Sequence, residues 1–385
     1  MSQRILIFAM TFPPAGVGTG AYAHALARGL TRGGVEVQVL APRGVEAEAF
    51  DQKAGFSIQR FNSSAFVPWR YVQARAQLSK LIRSFKPDCV WATNGMSTRV
   101  AGLMDCWRDI PLITSMRGSD VTTRLASKGM AGRIESVPQR RAYEQSAAIA
   151  SVSRFVRGVA TAQGIAGEKI FVHPPAFDDM HKNKYRFNDK KFFAQYPQLK
   201  DRQIVLSVAR LVKQKRVDKA LGASGRLLKE FPDLVHIVVG AGPERGELER
   251  IAYELGWGER VFFTGAVEPM SKELFDFYSA ADIFILPSVR EGMGNVFIEA
   301  GAFALPCLAA ADGGVPEIVA DGETGMLARV DDVEDMSAKL RQLLKNGERT
   351  QKMGEKARQR VLSQFSSEAM TERAVEVLDR VVSNG

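Results

Sequence analysis

Residues 281–302 read ADIFILPSVREGMGNVFIEAGA. The apolar segment Ile283 to Leu286 suits a buried strand, Gly292 and Gly294 leave backbone amides bare, and Val296 to Ala302 has helical spacing with no breaker until Gly301. The reading is strand, glycine-rich loop, helix N-terminus. Exposed N–H groups and the positive end of a helix suit negative charge, and two carboxylates eight residues apart, Glu291 and Glu299, suit hydroxyl groups. Each part alone has a plainer reading. Glycines make turns, and a glutamate such as Glu299 is favourable in the first turn of any helix.

Strand-helix units of this kind recur on both sides. In the first half, Arg4 to Met10 (RILIFAM) is a near-continuous apolar run, as expected of a strand buried on both faces of a parallel sheet. A Pro-Gly loop, an amphipathic helix and a strand over Val35 to Leu40 complete a βαβ unit. Further strands are expected at Cys89–Ala92, Leu112–Ser115, Ile149–Val152 and Ile170–Val172. His173 to Lys191, rich in Pro and charge, reads as a linker. A second series follows. Its strands are IVLSVARL from Ile204, VHIVVGAGP over Val235–Pro243, RVFFTGAV, ADIFILPS, and the shorter LPCLAA and TGMLARV, before a largely helical stretch from Val333 to Asp379. Two doubly wound α/β domains are expected, as 385 residues exceed what one core usually supports.

Composition excludes several classes. Hydrophobic content of 45% and charged content of 25% are ordinary for a soluble globular protein. No run approaches the roughly 18 apolar residues of a spanning helix. The first residues read as a strand rather than a signal peptide, so a cytoplasmic address is expected. Cys89, Cys106 and Cys307 are odd in number, lack metal-type spacing and sit in or beside apolar segments, which predicts reduced core thiols. No two histidines have ligand spacing, and His236, inside an apolar run, reads as a satisfied core residue. No metal site is expected.

The net charge of +9 is one-sided: residues 1–180 carry 22 Lys+Arg against 13 Asp+Glu, and residues 181–385 carry 30 of each. Such a field points to an anionic partner meeting the first half, whether membrane surface, phosphorylated acceptor or nucleic acid. A helix over Val67–Lys86 would place Arg75, Lys80, Arg83 and Lys86 on one side together with Trp69 and Val72. That is either a solvated basic face or an arrangement that settles into an anionic lipid interface. Arg124, Lys128, Arg133, Arg140 and Arg141 continue the basic side.

A literal G-x-G-x-x-A begins at Gly16, but its glycines follow Pro13 and Pro14 rather than the strand directly. The second strand ends in Ala41-Pro42-Arg43 with no ribose-binding acid, which argues against a nicotinamide cofactor. A phosphate-facing loop at Gly18, Thr19 and Gly20 fits better. Arg117 and Asp120, in the loop after the Leu112–Ser115 strand, stand where parallel sheets hold ligands.

The segments VARLVKQK (Val208–Lys215), VGAGP (Val239–Pro243), ADIFILPSVREGMGNVFIE (Ala281–Glu299) and GGVPEIVADGETGML (Gly313–Leu327), in this order and spacing, resemble the retaining glycosyltransferases of family 4. The Glu-x7-Glu pair is that family's signature, and the resemblance covers nearly the whole chain. It implies the GT-B fold, two facing Rossmann-like domains with an interdomain cleft. Residues 1–180 would form a basic acceptor-binding domain, 181–200 a linker, 201–362 a nucleotide-sugar-binding domain, and 363–385 a helix crossing back to the first domain.

By position, Glu291 resembles the residue that grips the donor sugar's hydroxyls and Glu299 the one that holds the ribose. Arg210 and Lys215 resemble the basic pair on the diphosphate. Gly18–Gly20, Gly242, Val267 and the backbone of Gly292, Met293, Gly294, Asn295 and Val296 would line the donor. Glu317 reads as structural.

Where many relatives have His-Gly-x-Asp, this chain has Arg117-Gly118-Ser119-Asp120. Arg117 would stabilise the leaving phosphate or bind an anionic acceptor, and it does not titrate near neutrality. Pro174 and Pro175 replace a common Asn-Gly pair, and Arg216 replaces the Gly usual after the family Lys. The resemblance implies a hexosyl transfer that needs no cofactor or metal beyond the nucleotide-diphosphate sugar. The acceptor would be a glycan, lipid-linked or phosphorylated, with an anionic membrane surface as a further partner and no nucleic acid. A nucleotide-sugar-binding protein and an epimerase on the same fold are the rival readings.

Overall fold

The structure, a computed structural model, describes residues 3–14, 18–125, 130–177 and 185–383, with the side chains of residues 67, 123–125 and 130–135 left aside. The chain forms two compact units. One comprises Met1–Ala176 with Ser367–Gly385, the other Phe177–Ser366.

The first unit holds seven parallel strands: β1 (Arg4–Phe8), β2 (Glu36–Pro42), β3 (Ser57–Phe61), β4 (Cys89–Ala92), β5 (Leu112–Met116), β6 (Ala148–Ser151) and β7 (Ile170–Val172), in the order β3-β2-β1-β4-β5-β6-β7. The near-continuous apolar runs have the expected cause, since the sheet is covered on both faces. Along β1, Ile5 and Ile7 join one core with the helix Thr19–Arg32, while Leu6 and Phe8 join another with the helix Val67–Phe85. The last helix, Ser367–Ser383, adds Met370, Ala374, Val377, Leu378 and Val381 to the first of these cores. It crosses Thr19–Arg32 so closely that a Cβ on Gly29 would stand 2.1 Å from Thr371 Oγ1.

The second unit holds β8 (Gln203–Val208), β9 (Leu234–Val239), β10 (Val261–Gly265), β11 (Ile283–Leu286), β12 (Cys307–Ala310) and β13 (Gly325–Ala328), all parallel, in the order β10-β9-β8-β11-β12-β13. Both sheets therefore reverse strand order at one point, between β1 and β4 and between β8 and β11. Crevices at the carboxyl ends of strands beside such a reversal are where open α/β sheets bind ligands.

Three features differ from the sequence reading. The edge strand β3 was not expected, because SIQRF mixes polar and apolar residues and is only half-buried. His173, Pro174 and Pro175, read as the start of a linker, are buried, and Asp189–Gln195 is helical. Residues 178–184, with His181, lie outside the described residues, as do Gly16 and Val17. The three cysteines are unpaired; Cys89 and Cys307 are buried and Cys106 is half-buried.

Candidate active site

The reversal point of the second unit collects the residues singled out in the sequence. The end of β8 delivers Arg210 and, through a 3-10 turn, Lys213–Lys215; the end of β11 delivers the loop that carries Glu291. Gln214 ties the two loops together. The Val289 amide donates to the Gln214 carbonyl at 3.0 Å, and Gln214 Nε2 donates to the Val289 carbonyl at 3.1 Å. Lys215 Nζ is thereby brought onto Glu291 Oε1 as an ion pair, with side-chain exposures of 18% and 12%. Arg210 is exposed and has no carboxylate partner among the described residues.

Glycines set how closely these loops pack. A Cβ on Gly242 would stand 2.3 Å from the Leu211 carbonyl oxygen, so the VGAGP turn can press against the Arg210 loop only as glycine. Behind Glu291, Gly313 has φ +63 and Gly314 donates its amide to the Glu291 carbonyl at 2.9 Å. The GGVPE segment thus backs the loop, and Arg360 Nη2 holds the Glu317 carbonyl at 2.9 Å.

Gly294, with φ +91, starts the helix Asn295–Ala302, and no side chain caps it. The first-turn amides, including those of Asn295 and Val296, stay available to a ligand. Gly292 and Val296 are half-buried, Asn295 is exposed, and Met293 is buried at 4%. Val267, half-buried, follows the end of β10. Glu299 accepts a hydrogen bond from Tyr278 Oη at 2.9 Å. Burial raises its pKa, and the Tyr278 hydroxyl opposes that rise. The Tyr278 ring stacks on Phe303 at 5.5 Å. Sequence reasoning missed Gln214 and Tyr278; a tyrosine in an apolar stretch is the available signal, because a buried hydroxyl needs a partner.

In the first unit, Gly18 has φ +78 and precedes the helix Thr19–Arg32, which no side chain caps. Thr19 Oγ1 and Thr11 Oγ1 are 2.9 Å apart, and Asn94 Nδ2 donates to Thr11 Oγ1 at 3.1 Å, so the loops after β1 and β4 are joined. A Cβ on Gly20 would touch the Phe12 backbone at 3.4 Å. The end of β5 delivers Arg117, whose guanidinium carbon lies 3.7 Å from the Tyr22 ring centroid, with Nη1 3.4 Å from the His173 carbonyl. Asp120 turns its carboxylate onto its own loop, accepting the Arg117 amide at 3.0 and 3.1 Å, and opens a π-helical turn, Asp120–Leu125.

His173 has one tautomer open to it. Nε2 lies 3.0 Å from the Met370 carbonyl, which can only accept, so Nε2 carries the proton and Nδ1 accepts from Tyr22 Oη at 2.9 Å. Burial, reinforced by the nearby Arg117 charge, pushes the His173 pKa down to about 3. His236 is likewise buried between Ser207 and Ser224, its pKa lowered by burial to about 3. Among the described residues no group of three or more His, Cys, Asp or Glu is arranged to hold a metal ion.

The basic side divides. Arg141 pairs with Asp105 and Arg140 donates to the Gln163 carbonyl at 3.1 Å, whereas Arg75, Lys80, Arg83 and Lys86 are exposed along one helix. Phe66, Trp69 and Val72 near its start are 69%, 55% and 52% exposed. Lys128 and the side chains of Arg124 and Arg133 lie outside the described residues. No helix among the described residues is long and apolar enough to cross a membrane.

Two family models match the chain: "Glycosyl transferase 4-like domain" over residues 17–176 and "Glycosyl transferases group 1" over residues 188–360. A GDP-mannose-dependent alpha-(1-6)-phosphatidylinositol monomannoside mannosyltransferase of Mycolicibacterium smegmatis is 27% identical, over 97% of this chain and 98% of that protein. A D-inositol 3-phosphate glycosyltransferase of Corynebacterium aurimucosum is 28% identical, over 88% and 86%. Anabaena Alr3699/HepE in complex with UDP superposes with a TM-score of 0.79 at 17% identity, over 98% of this chain and 100% of that one. The two parallel-sheet domains thus have GT-B glycosyltransferases as structural neighbours.

Proposed function

The chain belongs to the glycosyl transferases group 1 family, and from that premise we propose that it moves a hexose-type sugar from a nucleotide-diphosphate sugar to a glycan, lipid-linked or phosphorylated acceptor. The transfer retains configuration and needs no metal. The observation that carries this reading is the Lys215–Glu291 pair at the reversal point of the second sheet, with the uncapped helix at Gly294 and with Arg210, which has no carboxylate partner among the described residues, on the same loops.

In the proposed reaction Glu291 accepts hydrogen bonds from the sugar's hydroxyls and Glu299 from the ribose. The bond from the anomeric carbon to the distal phosphate oxygen breaks with its electron pair left on that oxygen. Arg210, Lys215 and the first-turn amides of Asn295–Ala302 face the charge that develops there, and because they are fixed they lower the barrier without reorganising. The acceptor oxygen attacks from the same face, and its proton passes to the departing phosphate.

Both relatives described above are named for phosphate-bearing acceptors, which supports an anionic acceptor here. The exposed Phe66, Trp69 and Val72 beside four cations support docking of the first unit on an anionic membrane.

Donor consumption is the test. Turnover should fall about a hundred- to thousandfold in Glu291→Ala and in Arg210→Ala, the cost of removing one transition-state contact. It should survive chelation of divalent ions. Turnover that persists in both variants overturns the assignment, and loss on chelation with recovery on adding Mg²⁺ overturns the metal-free part. Binding without turnover over a wide acceptor panel would make the chain a binding protein; free sugar released without acceptor would make it an epimerase.

A further inference from the structure

We propose that Arg117, stacked on Tyr22, is an oxyanion subsite of the first unit that takes a phosphate monoester or a carboxylate. The guanidinium lies 3.7 Å over the Tyr22 ring and spends one donor, at 3.4 Å, on the His173 carbonyl. Its remaining N–H groups have no hydrogen-bond partner among the described residues, and the residue is half-buried. A guanidinium withdrawn from water costs free energy unless an anion meets it, and burial does lower the pKa of Arg117. Asp120, the carboxylate of the same loop, directs both oxygens at the Arg117 backbone amide rather than at the guanidinium.

The platform under Arg117 is rigid. Tyr22 is 2% exposed, its hydroxyl proton is committed to His173 Nδ1, and the proton on His173 Nε2 is committed to the Met370 carbonyl of the last helix. His173 stays neutral, its pKa held down by burial, by the Arg117 guanidinium and by that of Arg373, and of the two cations it is Arg117 that stacks on Tyr22. A planar, pre-positioned fork of donors suits two oxygens of one anion better than a flexible ammonium does. Tyr22 also lies in the first turn of Thr19–Arg32, whose uncapped amides add positive potential on that side.

That the oxyanion belongs to a substrate rests on the transferase reading; the binding itself does not. Calorimetry on the full chain with inorganic phosphate, a hexose 6-phosphate, a hexuronate and the neutral hexose tests it. The anionic probes should bind and the neutral sugar should not. Arg117→Gln should weaken the anions about ten- to a hundredfold, the value of a charge-assisted hydrogen bond. Arg117→Lys, the second variant should Arg117→Gln fold poorly, keeps the charge but not the fork and should fall between. Tyr22→Phe, which keeps the ring, should retain binding.

Nucleoside diphosphate and nucleotide-sugar affinities unchanged in Arg117→Gln assign the anion to the acceptor; a parallel loss assigns it to the donor. Anion affinities equal in wild type and Arg117→Gln, or a neutral hexose that binds as well, overturn the subsite. If wild type binds no nucleoside diphosphate while Arg117-dependent anion binding persists, the transferase reading fails and the subsite stands.

Discussion

At Glu299 burial and a single hydroxyl pull the titration of one carboxylate in opposite directions. Burial raises the Glu299 pKa, and the hydrogen bond from Tyr278 favours the ionised form and holds the rise back. Because the folded pKa lies above the unfolded one, protonation here favours the fold, and that contribution fades as pH rises through the folded pKa. On the proposed function donor binding has the opposite sign, since there the Glu299 carboxylate would accept the ribose hydroxyls. Tyr278→Phe should therefore raise the Glu299 pKa further and move the acid limb of nucleoside diphosphate binding to higher pH. Titrating affinity against pH in both proteins checks this, and an unmoved limb would leave Tyr278 as packing alone.

Of the candidate site's charged residues, Arg117, Arg210 and Glu291 could be singled out in the sequence because they follow apolar strand runs, and Glu299 because it stands eight residues beyond Glu291. Their partners were not, since Tyr22 with Arg117 and Tyr278 with Glu299 meet only through tertiary packing. Arg216 shows a third case. Its φ of +53 is a conformation glycine adopts freely, and its side chain pairs with Asp331 at 2.9 Å, a contact no sequence spacing announces.

Among the elements, the helix Val67–Phe85 departs most from the habits of a domain surface. Of the inward side expected from the periodicity, Leu78, Leu81 and Ile82 are buried and Phe85 is half-buried, and Ala74 joins them. The outward side is sorted along its length, with Phe66, Trp69 and Val72 exposed at the start and Lys80, Arg83 and Lys86 toward the end. The Trp and the cations could be read from spacing, but Phe66 could not, because it precedes the helix and its exposure depends on how the chain enters. Each cation near an anionic surface contributes about 1 kcal/mol. Neutralising Arg75, Lys80 and Arg83 together should thus weaken binding to phosphatidylglycerol vesicles by about 3 kcal/mol, on the order of a hundredfold. Flotation or sedimentation with those vesicles, against phosphatidylcholine alone, measures it. Retention of the triple variant at low salt would sink the membrane contact.

For the whole molecule, the fold class was legible because the strands of both sheets, the edge strand β3 apart, are mostly short apolar runs followed by a turn signal. The helix that completes the first unit's core, Ser367–Ser383, arrives after the whole second unit, so its return was expected, over 363–385, from the family resemblance and not from its own periodicity. Burying the Met370, Val377, Leu378 and Val381 side chains contributes about 1.5–3 kcal/mol each. Their sum is comparable with the about 5–15 kcal/mol that separates a folded domain from its unfolded chain. The His173–Met370 hydrogen bond would be lost as well, and with it the partner that fixes the tautomer beneath Tyr22 and Arg117. Ending the chain at Ser366 should therefore unfold the first unit while the second, whose core lies within Phe177–Ser366, keeps its own transition. Calorimetry should show one unfolding step where the full chain shows two, and a nucleoside diphosphate should still raise the midpoint of the surviving step. Two steps in the truncated chain would mean that β1 and the helix Thr19–Arg32 close their core without the last helix, and Arg117 should then keep its anion affinity in that chain.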